Sequence, residues 1–117
     1  METSSPYRFG DFELDVDGWE LRKAGRQILL QPRQLQLLIC LVRHYPRLVT
    51  KAELRVLVWR GVKVSDSALW TAVYALRRAI GDTARPHSFI LTRHGLGVRF
   101  ATTPLVRDRR SQNQGAL

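Results

Sequence analysis

Four side chains that can form hydrogen bonds recur at helical spacing between residues 66 and 80. At about 100° per residue they share one side of a helix, and they are Ser67, Thr71, Tyr74 and Arg78. Their hydroxyl groups and the guanidinium can contact base edges or phosphates, and an arginine can bind guanine through two hydrogen bonds. The opposite side carries the apolar residues Leu69, Val73, Leu76 and Ile80. An apolar face opposite a polar, basic face is typical of a helix that reads a DNA groove.

Basic residues outside this row extend the candidate surface. Arg77 lies on the flank of the helix, where we expect it to hold a phosphate. Arg93 and His94 fall at the tip of a predicted glycine-rich hairpin, from which they can reach a minor groove or the backbone. Arg99 lies on the return strand, where a structural role is equally open.

The start of the preceding helix adds two more cations. Lys51 and Arg55 are placed to hold phosphates, a common role for the helix that crosses the DNA backbone. For each cation there is an ordinary alternative, such as a solvated turn or compensation of a helix dipole. The complete set of candidate DNA contacts is Lys51, Arg55, Ser67, Thr71, Tyr74, Arg77, Arg78, Arg93, His94 and Arg99.

The distribution of charge favours a polyanionic partner. The chain has 117 residues and a net charge of +9. Residues 1–20 hold six acidic residues and one basic residue, whereas residues 21–117 hold 18 basic and four acidic residues. An acidic end on a strongly basic body is consistent with nucleic-acid binding.

Several other functional classes find little support. The single cysteine, Cys40, excludes an intrachain disulfide. The three histidines lack cysteine or carboxylate neighbours at metal-ligand spacing, and the glycine-rich stretch lies in a hairpin rather than in a phosphate loop. We therefore expect no catalytic residue, metal or cofactor. Without a signal peptide or a long apolar run, we expect a cytoplasmic protein and no membrane contact.

Turn residues and alternation predict a small antiparallel sheet of three or four strands at the start of the chain. Its extended segments are Tyr7–Phe12, Glu13–Val16, Trp19–Ala24 and Gln27–Leu30, with turns at Asp17-Gly18 and Gly25.

Three helices and a hairpin follow the sheet. Pro32 opens the first helix and Pro46 ends it. Thr50 and Glu53 form a capping box for the second helix, which we expect to end at Gly61. Ser65 or Asp66 caps the third helix, and strands over 89–92 and 98–101 form the hairpin. The expected core is Leu30, Leu35, Leu38, Leu54, Leu57, Leu69, Val73, Leu76 and Phe100, and Val58 and Trp59 are expected to face it beside Leu57.

Four segments of the chain, taken in their order along the sequence, resemble the OmpR/PhoB-type winged-helix DNA-binding domain of bacterial transcription regulators. They are LQPRQLQLL (30–38), VTKAEL (49–54), ALRRAIGD (75–82) and ILTRHGLGVRF (90–100). The segment VSDSAL…ALRRAIGD is most similar to the branch in which this domain stands at the N-terminus of multidomain regulators. Two departures concern positions that are often basic or polar in the recognition helix, here Ala72 and Ala75, and a position that is usually aromatic in the wing, here Val98.

The resemblance implies an α+β fold: a winged helix-turn-helix with an N-terminal antiparallel sheet of four strands, a three-helix core and a C-terminal wing hairpin that pairs with an extra short strand. It implies a recognition helix over 66–80 in the major groove and a wing over 89–101 at the minor groove or backbone. It also implies an RNA polymerase contact through the 60–65 loop and a head-to-tail homodimer on DNA.

We therefore interpret the chain as a sequence-specific regulator of transcription that binds double-stranded DNA and is associated with the nucleoid. A winged-helix module that binds another protein through its Trp70 and Tyr74 surface is one alternative, and an architectural DNA binder without sequence preference is another. The expected organisation is a flexible N-terminus over 1–6, the domain over 7–103 and a polar tail or linker start over 104–117.

Overall fold

The computed structural model describes residues 6–85 and 87–106. These residues form two compact units, one made of 6–29 with 104–106 and the other of 30–103. In chain order the elements are β1 (Tyr7–Phe9), β2 (Phe12–Asp15), β3 (Glu20–Lys23), β4 (Arg26–Ile28), α1 (Pro32–Arg43), β5 (Val49–Thr50), α2 (Lys51–Leu57), α3 (Asp66–Ala79), β6 (Ile90–Arg93), β7 (Gly97–Phe100) and β8 (Leu105–Val106).

The first unit is a five-stranded antiparallel sheet in the order β4-β3-β2-β1-β8. The prediction of one extended segment over Tyr7–Phe12 was wrong, because the chain reverses at Gly10 with a φ of 56°. Phe9 therefore pairs with Phe12 across a hairpin instead of following it along one strand. Apolar side chains on alternate strand positions, such as Leu14 and Leu21, are buried.

The strand β8 lies within the segment expected to be a tail, and it pairs with β1 in the register Tyr7↔Val106. The proposed domain limits at residues 7 and 103 remain a prediction. Most of the predicted flexible N-terminus, over 1–5, and most of the tail, over 107–117, lie outside the described residues.

Local signals form the helices of the second unit as the sequence predicts. Pro32 occupies the first turn of α1, and the capping box of Thr50 and Glu53 begins α2. Ser65, rather than Asp66, caps α3 by accepting a hydrogen bond from the backbone N–H of Ala68. The helix α2 ends earlier than predicted, at Leu57, and the chain then turns through left-handed backbone conformations at residues 60 and 61.

The core of the second unit lies between the three helices and the hairpin, and most of its predicted members are buried. Leu57 is an exception, since it is 47% exposed in the last turn of α2. Leu54 and Val58, one turn apart, occupy the buried side of that segment as predicted. Leu30 is only half-buried.

The hairpin of β6 and β7 pairs with β5 in a three-stranded sheet, so the extra short strand is confirmed. Gly97 pairs with Thr50 across β5 and β7. An added Cβ at Gly97 would overlap the carbonyl oxygen of Val49 and lie 2.9 Å from Thr50 Cα. This glycine therefore lets the hairpin close against the start of α2.

Candidate nucleic-acid interface

The polar row of α3 lies on the surface. Ser67, Thr71, Tyr74 and Arg78 are exposed, and the Tyr74 ring is 57% exposed despite its apolar area. On the opposite face of the helix, Leu69, Val73 and Leu76 are buried in the core. The helix is therefore anchored on one side and presents a continuous hydrogen-bonding row on the other.

Tyr74 and Arg78 form a pair within this row. Arg78 Nη1 donates a hydrogen bond to the Tyr74 hydroxyl over 3.3 Å, and its guanidinium carbon lies 5.9 Å from the ring centroid. A hydrogen bond and a cation–π contact one helical turn apart restrict the rotamers of a long side chain. The guanidinium is held on the exposed face instead of sampling all of the solvent around it.

Arg77 is placed differently from its neighbour. Its Nε donates to the Ile90 carbonyl oxygen over 3.0 Å, and its Nη2 donates to the Thr92 hydroxyl. Partial burial lowers the pKa of Arg77 from its ordinary value, chiefly because the charged form loses hydration, and Asp82 opposes this effect. The guanidinium joins α3 to β6. The phosphate contact expected of Arg77 on the flank of α3 stays a prediction.

Lys51 and Arg55 lie together at the N-terminal end of α3. Lys51 Nζ lies 2.8 Å from Asp66 Oδ2, and Arg55 forms an ion pair with the other oxygen of the same carboxylate. Arg55 also donates to the Val64 carbonyl oxygen over 3.2 Å. These contacts, with Lys51 first and Arg55 second, hold the pKa of Asp66 below its ordinary value. The sequence analysis missed Asp66 as the partner of both cations.

Arg93 and His94 are exposed at the tip of the hairpin, where Gly95 adopts a φ of 76°. The Leu96 carbonyl oxygen accepts a hydrogen bond from the backbone N–H of Lys51 over 3.1 Å. The hairpin tip is thereby fixed beside the first residue of α2. Arg99, in contrast, is half-buried on β7 and stands apart from the tip.

Asp82 is a second residue whose role the sequence analysis missed. Its side chain is only 2% exposed. One carboxylate oxygen accepts a hydrogen bond from Ser88 N over 2.6 Å, and the other accepts from Phe89 N over 3.1 Å and from Ile90 N over 2.9 Å. The carboxylate therefore binds the backbone that leads into β6. The only available signal was its position directly after Gly81, which adopts the left-handed conformation at the end of α3.

The departures from the family pattern lie at positions of different burial. Val98 is buried and pairs with Val49, so a larger side chain there would not extend the wing surface. Ala72 and Ala75 are half-buried beside the polar row, and Trp70 is half-buried at the boundary of the same helix.

Other kinds of site are poorly represented in the described part of the chain. Over 6–85 and 87–106 no group of three or more His, Cys, Asp and Glu side chains could hold a metal ion. In the same residues no helix is long and apolar enough to cross a membrane. Burial raises the pKa of the Cys40 thiol to about 11, with a smaller contribution from Glu53, so the thiol stays protonated at neutral pH.

Comparison with known proteins agrees with this geometry. Residues 25–100 match the family model described as "Transcriptional regulatory protein, C terminal". The chain belongs to this family of OmpR/PhoB-type DNA-binding domains. Among curated relatives, the transcriptional regulator HilA of Salmonella typhi is 30% identical over 98 residues, which cover 84% of this chain and 17% of HilA. The transcriptional regulatory protein AfsQ1 of Streptomyces coelicolor is 30% identical over 99 residues, which cover 84% of this chain and 44% of AfsQ1. This chain therefore spans less than half the length of either relative.

Solved structures of OmpR/PhoB-type domains share the fold. The DNA-binding domain of Escherichia coli CadC superposes with a TM-score of 0.75 and 20% identity, covering 91% of this chain and all of that chain. The response regulator DrrB of Thermotoga maritima gives a TM-score of 0.75 and 28% identity, covering 83% of this chain and 44% of that chain. The RstA DNA-binding domain of Klebsiella pneumoniae, solved in complex with the RstA box, gives a TM-score of 0.73 and 23% identity, covering 82% of this chain and 96% of that chain.

Membership of the OmpR/PhoB-type family confirms the α+β winged-helix fold and identifies the chain as a sequence-specific DNA-binding domain of a transcription regulator. The helix α3 covers the residues that the sequence resemblance predicts as the recognition helix, and β6 and β7 cover those that it predicts as the wing. The family consists of regulatory domains rather than enzymes.

Proposed function

We propose that α3 enters the major groove of double-stranded DNA while the wing contacts the adjacent minor groove or backbone. The observation that carries this proposal is the polar row of α3, with Arg78 held by Tyr74 on the face opposite the sealed core. A recognition helix needs an exposed polar row of this kind, because base readout requires side chains that reach the base edges in the groove. Thr71 and Tyr74 lie at the centre of that row.

Cations around the helix would supply much of the affinity by neutralising phosphates. Arg93 extends from the wing tip, and Lys51 and Arg55 flank the N-terminal end of α3. His94, beside Arg93, can add one hydrogen bond without carrying a charge. Phosphate contacts release counterions from the duplex, so the binding constant should fall steeply with salt concentration. Arg77 and Arg99 take positioning roles in this proposal, since their side chains are partly buried.

Selection of binding sites from a random duplex library tests the proposal. We expect a recurring motif, and a direct repeat within it would support a head-to-tail homodimer on DNA. Retention of DNA without any motif would instead indicate an architectural binder. Failure to retain DNA would favour a protein-interaction module.

A matched pair of arginine variants then tests the recognition helix itself. Arg78→Ala should weaken binding to the selected duplex by about 1–3 kcal/mol and relax the preference at one base pair. Arg43→Ala removes the same charge from an exposed site in the last turn of α1. Equal weakening by both variants on every duplex would contradict base readout by Arg78.

A polymerase contact through the 60–65 loop is a further part of the proposal. Val62 is 59% exposed in this loop, between the exposed cations Arg60 and Lys63. A hydrogen bond from Val62 N to the Trp59 carbonyl oxygen, 2.9 Å long, fixes the turn. Val62→Ser should reduce activated transcription with purified RNA polymerase and leave DNA affinity unchanged. Loss of DNA affinity in this variant would contradict a separate polymerase surface.

The ligand also sets the expected location. A domain that binds chromosomal DNA acts in the bacterial cytoplasm, on the nucleoid. Fluorescence microscopy of the tagged full-length protein should show it over the DNA, and a membrane-localised signal would contradict this expectation.

A further inference from the structure

Asp66 holds the two cations of α2 that are best placed to bind phosphate. Lys51 and Arg55 are four residues apart, so they lie on the same face of α2. Both point to one carboxylate, with Lys51 Nζ 2.8 Å from Oδ2 and Arg55 paired with Oδ1. One acidic side chain thus pairs with both cations, and one positive charge of the cluster remains uncompensated.

The position of this carboxylate resembles that of a bound phosphate. Asp66 is the first residue of α3, directly after the capping Ser65, and its side chain is 54% exposed. The N-terminal end of a helix attracts anions, and arginine binds carboxylate and phosphate oxygens with the same geometry. A carboxylate that faces solvent between two cations therefore occupies the place that a DNA phosphate would take.

We infer that Asp66 competes with the DNA backbone for Lys51 and Arg55 and thereby limits the sequence-independent affinity of this domain. The inference rests on the proposed function, because it needs duplex DNA at the N-terminal end of α3. A cation that first has to leave Asp66 gains little from a phosphate, since it exchanges one anionic partner for another. Exposed ion pairs are weak, so the exchange remains reversible.

Such a competitor has a use in a regulator. The chain carries a net charge of +9, and phosphate contacts supply essentially all non-specific binding. A genome offers a very large excess of non-specific sites. Limiting phosphate affinity at one point would shorten the time the domain spends on them, while the exposed row of α3 keeps its base contacts.

Salt titrations of wild type and Asp66→Asn test the inference. Binding to a random-sequence duplex and to the selected duplex is followed by fluorescence anisotropy between about 50 and about 200 mM salt. Each cation released to a phosphate adds about 0.9 to the slope of log K against log salt. Over this range, Asp66→Asn should therefore lose about 3-fold more affinity than wild type for one released cation and about 12-fold more for two. At the lowest salt it should bind both duplexes more tightly than wild type.

Glu53→Gln is the matched control. It makes the same change of charge and releases Arg47, whose Nη1 lies 2.9 Å from the Glu53 carboxylate. Glu53 is two residues from Lys51, on the other side of α2, and a glutamine preserves the capping box. We expect the salt slope of this variant to equal that of wild type.

The outcomes separate the competing explanations. If wild type binds DNA but its salt slope equals that of Asp66→Asn, the competition proposed for Asp66 is overturned and the proposed DNA-binding function is not. An equal rise in Glu53→Gln would also overturn it, because a general charge effect would then be sufficient. If neither wild type nor Asp66→Asn binds DNA, the proposed function fails together with the inference.

Two further variants distinguish the release of Lys51 and Arg55 from a change in the structure at the start of α3. Asp66→Ser also removes the carboxylate, and it should show the same steeper slope while thermal unfolding confirms that it is folded. In a Lys51→Gln, Arg55→Gln background, Asp66→Asn should leave the slope unchanged. A slope that still steepens in that background would overturn competition through these two cations.

Discussion

Replacing Asp82 by Asn and by Ala should destabilise the domain by two different amounts. The buried carboxylate accepts three backbone hydrogen bonds, one at its first oxygen from Ser88 and two at its second from Phe89 and Ile90. Together they fix the backbone that enters β6. The two oxygens accept different numbers of hydrogen bonds. Asn, which keeps one acceptor oxygen, should therefore destabilise the domain less than Ala, which keeps none.

The magnitudes follow from this pattern. In its better orientation Asn keeps the two bonds at the second oxygen, but they become neutral bonds of about half the strength, and the bond from Ser88 is lost. Because Ser88 is exposed, its N–H can bind water, and the total cost is about 2 kcal/mol. Ala loses all three bonds and leaves the N–H of buried Ile90 without this acceptor, which costs about 4 kcal/mol.

Urea unfolding followed by circular dichroism measures both losses. With a slope of about 1.5 kcal/mol per M, the midpoint should fall by about 1.3 M for Asp82→Asn and by about 2.7 M for Asp82→Ala. Asp11→Asn, at an exposed position in the first unit, is the matched charge control and should stay within about 0.5 kcal/mol of wild type. Equal losses for the two Asp82 variants, or a loss for Asp11→Asn as large as that for Asp82→Asn, would refute the reasoning.

Three further outcomes test other parts of the structure. Arg77→Met keeps the aliphatic stem but loses two hydrogen bonds to the wing strand, so urea unfolding should show a loss of about 2 kcal/mol, and an unchanged midpoint would contradict that role. Tyr74→Phe keeps the ring beside Arg78 but removes the hydroxyl, so anisotropy should show binding to the selected duplex weakened by about 3- to 10-fold. Equal weakening on unrelated duplexes would argue against a role in readout. Hydrogen bonds from Arg47, and to a smaller extent from the Thr50 backbone, lower the pKa of Glu53 from 4.5 to about 2 in the folded protein. The ionised Glu53 therefore stabilises the fold above pH 4.5, and this contribution is lost as the pH falls to about 2. Thermal unfolding of Glu53→Gln should therefore lose less stability over that range than wild type, and parallel losses would contradict the linkage.

The recognition helix shows how far sequence reasoning reached. Its limits, its cap region, its buried stripe and its exposed row were all predictable, and the observed helix Asp66–Ala79 differs from the prediction by one residue. The wing strands and the capping box of α2 were predictable for the same reason. Each depends on side-chain period, caps and turn residues that act within a few positions of the chain.

The end of α2 shows the limit of that reasoning. Helical spacing predicted Leu54, Leu57 and Val58 on the core side of this segment. Leu54 and Val58 are buried as predicted, but Leu57, in the last turn of the helix, is 47% exposed. Spacing alone does not determine which of several adjacent apolar residues the rest of the fold covers.

The sequence by itself determined the helices, the wing and the polar surface of this domain, because those features arise from local periodicity and capping. Only the tertiary structure decided which charges are available on that surface. Arg77 reaches an acceptor 13 residues away, and Asp66 is reached by Arg55 from 11 residues away. Asp82 binds backbone up to eight residues further along the chain. Such partners meet only after the helices and the hairpin have packed, since a side chain's position in the sequence does not fix the direction of the segments that approach it.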